Sequence, residues 1–153
     1  GRAIIYSLKD RWNHLAKTFV HPGNTLQPQQ NKAQNATALS TKYKGPVVDA
    51  LGINLDGRVG TPIIRYDGDL KKVEFLKYDL PSLGFNLKGK GADVLIIGAG
   101  GGKDVLTSII YGAKRIDAVE INPDVVRFVK ENFAEFSGNL YNLANVNAVV
   151  IAK

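Results

Sequence analysis

From residue 93 onward the apolar positions fall into blocks whose period alternates between strand and helix. Val94 to Ile97 is a continuous apolar run of strand length, and it ends in five small residues, Gly98-Ala99-Gly100-Gly101-Gly102. Val105, Leu106, Ile109 and Ile110 then recur at helical spacing, with Gly112 where a C-cap belongs. Ile116 to Ile121 reads as a second buried strand with one acid, Glu120, near its end. Asn122-Pro123 supplies an N-cap and a proline at the first helical position. Val125, Val129, Phe133 and Phe136 share one helical face, Ser137-Gly138-Asn139 ends that helix, and Val146 to Ile151 is a third apolar strand. The order predicts an α/β fold with about three parallel strands, half of a doubly wound sheet.

The first ninety residues have a different texture. Residues 1–46 hold one short element around Trp12 to Val20, then a stretch rich in Gln, Asn, Thr, Ala and Pro that reads as a loop or insert. Residues 47–90 read as a small β-rich unit. Asn54-Leu55-Asp56-Gly57-Arg58 is a strand entering a hairpin turn, and Thr61 to Tyr66 is its partner. Asp67-Gly68-Asp69 is another turn, and Lys72 to Tyr78 fits either a third strand or a short helix. Leu87-Lys88-Gly89-Lys90-Gly91 links this unit to residues 91–153.

Composition narrows the chemistry. There is no Cys, so disulfides and thiolate metal sites are excluded, and a reducing compartment such as the cytoplasm is the expectation. Only His14 and His21 are available as imidazole ligands, and no carboxylate spacing around them suggests a metal. No apolar run approaches the ~18 residues of a membrane span. The net charge of +6 is uneven: residues 1–90 carry fourteen Lys/Arg against seven Asp/Glu (+7), and residues 91–153 carry six against seven (−1). The basic residues are scattered, without aromatic interleaving, so they read as a solvated surface rather than a nucleic-acid footprint.

The glycine loop is the candidate site. It lies between a strand and a helix N-terminus, where backbone N–H groups can face a polar or anionic ligand. Its spacing discriminates between ligands. A dinucleotide fingerprint, G-x-G-x-x-G, would need a glycine at 103, where Lys103 stands, whereas Gly98, Gly100 and Gly102 satisfy G-x-G-x-G. Glu120 lies twenty residues beyond Gly100, the separation that sets a carboxylate beside a ligand's ribose hydroxyls. Asp104 falls in the first helical turn, where the helix dipole alone favours a carboxylate.

Leu55-Asp56-Gly57, Asp79-Leu80-Pro81, the run Val94 to Gly102 and Val119-Glu120-Ile121-Asn122-Pro123 together resemble the spermidine-synthase-like group. These are Rossmann-like class I methyltransferase folds preceded by a small β domain, and some members carry membrane segments upstream. The resemblance covers residues 51–151 and implies a transferase that uses S-adenosylmethionine or decarboxylated S-adenosylmethionine. Its substrate would be a small molecule such as an amine. Gly98, Ala99, Gly100, Gly101 and Gly102 would line the cofactor, Glu120 would hold its ribose, and Ile121 would pack near the adenine.

Two departures weigh against aminopropyl transfer: Gly101 stands where those synthases place an Asp, and no Tyr-His-Glu triplet lies between Tyr66 and Tyr78. The chain opens on Gly, contains no Met and stops after the third strand, so it reads as a fragment whose catalytic residues lie C-terminal to it. Asp79 and Asp104 are the nearest candidates for an acid within it. An open edge on the first parallel strand points to association, for instance as a homo-oligomer. A non-catalytic nucleoside-binding module and a nicotinamide-dependent oxidoreductase are the competing readings.

Overall fold

A computed structural model describes residues 9–12, 17–22, 39–56, 59–88 and 90–151. It is an α/β structure with two sheets. The first is antiparallel, with strands β1 (Lys9–Trp12), β2 (Lys17–Pro22), β3 (Ala50–Leu55) and β4 (Val59–Ile64) in spatial order 1-2-3-4. The second is parallel, with β5 (Asp93–Ile97), β6 (Arg115–Glu120) and β7 (Val146–Val150) in that order, so β6 is central. Two helices make the crossovers: α2 (Lys103–Ile110) from β5 to β6, and α3 (Pro123–Arg127), extended by a π-helical turn at Phe128–Asn132, from β6 to β7. A short helix, α1 (Leu83–Lys88), precedes β5.

The expected hairpin is present, with Ile53 opposite Thr61 and Ala50 opposite Ile64. The antiparallel sheet also extends back to Lys9, where the sequence shows one short element rather than two strands. Lys72 to Tyr78 takes the helical alternative, as part of a 3₁₀ helix over Leu70–Tyr78 capped by the Asp69 carboxylate. Val73, Phe75 and Leu76 all reach the core from its helical turns. The helix expected to run to Phe136 loses regular form after Asn132. Phe133 N–H donates to the Phe128 carbonyl five residues back, and the wider turn shifts the side chains that follow.

One core joins both sheets. Ile53 and Ile63 from the hairpin, Val73, Phe75 and Leu76 from the 3₁₀ helix, and Val105, Leu106, Ile116, Val125, Phe128 and Val129 from the β-α-β units are all fully buried or nearly so. The parallel sheet is covered on one face. Ile96, Ile116 and Ala118 point into the core, whereas Leu95 and Ile97 on the opposite face are 65% and 82% exposed. Parallel sheets ordinarily bury both faces, so the uncovered side is the unusual feature of this architecture. No helix among the described residues is long and apolar enough to cross a membrane.

These burials set a measurable contrast. Phe75→Ala is expected to lower unfolding free energy by about 3–5 kcal/mol, the range for emptying a buried aromatic position. Leu95→Ala should cost under about 0.5 kcal/mol, as an exposed substitution does. Urea titration of both variants followed by circular dichroism checks the pair. A large loss at Leu95 would show that its face is covered in solution.

Candidate functional site

The loop after β5 closes because four of its residues do what other side chains resist. Gly98, Gly100 and Gly102 have positive φ values of 78°, 56° and 90°. Gly101 is needed for a different reason: a Cβ there would fall onto the Pro62 carbonyl of β4. β4 is an edge strand, which is where a proline is tolerated in a sheet, and the glycine loop covers that edge. The missing Cβ at Gly101 therefore accommodates this protein's own backbone. A Cβ at Gly98 would meet nothing within 4 Å, so that side of the glycine faces open space.

The loop's N–H groups are all engaged inside the protein. Gly98 and Ala99 donate to the Val119 carbonyl at 2.8 and 3.0 Å, and Gly102 donates to the Ala99 carbonyl at 3.0 Å. Gly100 donates to Glu120 Oε2 at 3.0 Å, and Gly101 donates to Thr61 Oγ1 at 2.9 Å. The Gly100 carbonyl is also used, accepting from the Tyr141 hydroxyl at 2.7 Å. Tyr141 sits on a 3₁₀ turn, Leu140–Asn142, whose Leu140 side chain fills the space a Cβ at Gly102 would need.

Glu120 is 8% exposed at the end of β6. Besides Gly100, it accepts from the backbone N–H groups of Ile121 at 2.8 Å and Asn122 at 2.9 Å, both through Oε1. A carboxylate has roughly four acceptor positions, so one position on Oε2 is left for a ligand hydroxyl. Asn122 caps α3 as its sequence suggests, with its side-chain oxygen 3.0 Å from the Asp124 N–H. Ile121, 56% exposed, borders the same strand end.

Three charged residues flank the loop. Lys103 Nζ lies 2.7 Å from Asp79 Oδ2, and the Asp79 carboxylate is almost fully buried. Asp79 also caps Leu80 through Oδ1 at 3.0 Å. Both carboxylate oxygens thus have partners within the protein. Asp104 stands in the first turn of α2, with Lys103 Nζ 3.8 Å from its Oδ1. Burial, followed by the charges of Glu120 and Asp104, pushes the Tyr141 hydroxyl well above the ordinary tyrosine range, so it stays a neutral donor.

The structure thus brings Gly98, Ala99, Gly100, Gly101, Gly102, Glu120 and Ile121 to the neighbouring C-terminal ends of β5 and β6. Thr61, Tyr141 and the Lys103–Asp79 pair belong to the same constellation, and Thr61 and Tyr141 carry no local signal in the sequence. His14 lies outside the described residues, and no cluster of three or more metal-ligating side chains occurs among those described.

No protein-family model matches the chain, and no curated protein matches it. Among solved structures it is similar to a point mutant of MtNAS crystallised in complex with S-adenosylmethionine, at 23% identity and a TM-score of 0.29. That match covers 54% of this chain and 35% of the other, so the chain spans about a third of that protein. A likeness this loose says nothing about ligand or reaction here.

Two expectations follow from the geometry. Gly101→Ala should destabilise the fold more than Gly98→Ala, because its methyl meets backbone that no rotamer change can move. Gly98→Ala should cost only the ~1–2 kcal/mol of a left-handed residue, and paired urea melts would show the ordering. Tyr141 ionises in the unfolded chain near its ordinary value of about 10 but resists ionisation when folded. Stability should therefore fall as pH rises through that value. Tyr141→Phe should weaken this alkaline loss, read as a smaller drop in Tm between neutral pH and pH ~11.

Proposed function

We propose that the loop 98–102 and Glu120 hold an S-adenosyl nucleoside, in a class I methyltransferase-like domain related to the spermidine-synthase-like group. The carrying observation is that all five loop N–H groups are already bonded within the protein. A dinucleotide needs such donors for its pyrophosphate, so the nicotinamide reading loses its main requirement. The acids Glu120 and Asp104 stand beside the loop, which favours a cationic ligand such as a sulfonium over an anionic one. Gly98 offers the open approach, and the remaining acceptor position on Glu120 Oε2 suits a ribose hydroxyl.

The chemistry would be attack of a nucleophile on the carbon beside the sulfonium, where alignment and charge stabilisation supply most of the catalysis. β4 bears on which carbon is transferred. A carboxylate at position 101, as in aminopropyl transferases, would collide with the Pro62 carbonyl. That absence supports methyl transfer. A non-catalytic nucleoside-binding module is the second reading, favoured by the burial of Asp79 in its pair with Lys103, which ties up one of the two candidate acids.

Calorimetric titration with S-adenosylmethionine, decarboxylated S-adenosylmethionine and NAD tests the proposal. Binding of S-adenosylmethionine, no binding of NAD, and at least a tenfold loss in Glu120→Ala are the expected results. Preference for the decarboxylated form would overturn methyl transfer, and NAD binding would overturn the cofactor class. Retention of the ligand without turnover on any nucleophile tried would favour the non-catalytic module.

A further inference from the structure

The end of α2 remote from the glycine loop borders a second concavity. The eight residues of α2 separate the two by roughly 12 Å. A cavity of about 390 Å³ opens there, lined by Lys77, Phe85, Asn86, Lys90, Ile110 and Tyr111. That volume falls in the range of small-ligand sites, ~300–1,000 Å³. The lining comes from four places in the chain: the 3₁₀ helix at Leu70–Tyr78, α1, the connection to β5 and the end of α2.

The walls are held by contacts within the protein. Phe85 and Tyr111 stack with ring centres 5.3 Å apart and planes inclined by 16°. The Asn86 amide is fixed at both ends. Its oxygen accepts from the Tyr111 hydroxyl at 3.3 Å, and its nitrogen donates to the Ser82 carbonyl at 3.3 Å. Phe85, Ile110 and Tyr111 are all half-buried, so each keeps apolar surface open. The Lys90 stem runs beside Gly112, where a Cβ would stand 3.7 Å from Lys90 Cγ. The Gly91 N–H donates to the Gly112 carbonyl at 2.9 Å and ties the two backbone segments together.

The charge of the cavity rests on Lys90. Lys77 stands on the exposed rim and is paired with Glu74 at 3.0 Å. Lys90 has no ion-pair partner among the described residues. Residues 85–92 and 110–114 hold Lys88, Lys90 and Lys114 and no acid, so the local field is positive. A stacked aromatic wall thus stands beside an uncompensated ammonium group.

We propose that this cavity binds a small aromatic anion, its ring lying against the Phe85–Tyr111 pair and its carboxylate or phosphate meeting Lys90. Ring packing contributes beyond its buried area, and the anion supplies the charge that Lys90 lacks. A cation would be repelled, and a neutral ring would leave the ammonium without a partner.

Chemical-shift mapping of the full chain with phenyl phosphate and with benzoate tests this. Phenol and inorganic phosphate serve as controls for the ring alone and the charge alone. Saturable shifts at Phe85, Lys90 and Tyr111 are expected with at least one aromatic anion, and the tighter of the two identifies the headgroup. Lys90→Gln should weaken that binding about fivefold, and Phe85→Leu should do so by a similar factor. Circular dichroism confirms that each variant folds, and Lys90 is exposed, so its replacement leaves the core intact. No saturable binding of either aromatic anion would overturn the proposal. So would binding equalled by phenol or by inorganic phosphate, or binding that Lys90→Gln leaves unchanged. Shifts centred on Gly98 and Glu120 would assign the anion to the glycine loop and would equally overturn it. The outcome is independent of the cofactor proposal.

Discussion

The contact between the glycine loop and the edge of β4 is the constraint on which the rest depends. Gly101 lies against the Pro62 carbonyl, and its N–H is held by Thr61 Oγ1. That approach fastens the antiparallel sheet to the parallel one and protects an edge that would otherwise present unpaired backbone. It also consumes a loop donor that a phosphate would have used. Architecture and ligand preference thus share a cause: the loop is a structural joint first, and whatever binds there meets a surface whose donors are spent.

Glu120 extends the same logic. A buried carboxylate is costly unless several hydrogen bonds compensate it, and here three backbone N–H groups do so. They fix the carboxylate between the loop and the start of α3, so a ligand hydroxyl would find it oriented in advance. The Tyr141 hydroxyl braces the loop from behind through the Gly100 carbonyl. Removing any one of these members leaves another buried polar group without its partner, and the set should respond to mutation as a unit.

The sequence discloses this arrangement unevenly, for physical reasons. Strands β5, β6 and β7, the glycine turn, the Asn122 cap and the Glu120 position are all local patterns, set by period and by turn chemistry within a few residues. Thr61 and Gly101 lie forty residues apart, and nothing in Thr61-Pro62 announces what it will touch. Tyr141 is similarly mute, a single aromatic in a polar turn. The 3₁₀ helix at Leu70–Tyr78 was ambiguous because Val73, Phe75 and Leu76 satisfy fragments of both periods. There the tertiary core decides, since all three side chains are fully buried.

Glycines illustrate why a motif is weaker than the contacts that explain it. G-x-G-x-G suggests a backbone cleared for a ligand, yet at Gly100, Gly101 and Gly102 the cleared space is taken by Thr61, Pro62 and Leu140. Only Gly98 among these four glycines keeps its open side. A ligand at this strand end would therefore approach over Gly98 and toward Glu120, along the C-terminal end of the parallel sheet, where open α/β sheets place their ligands. The packed glycines hold that approach in place, and the single unpacked one leaves it accessible.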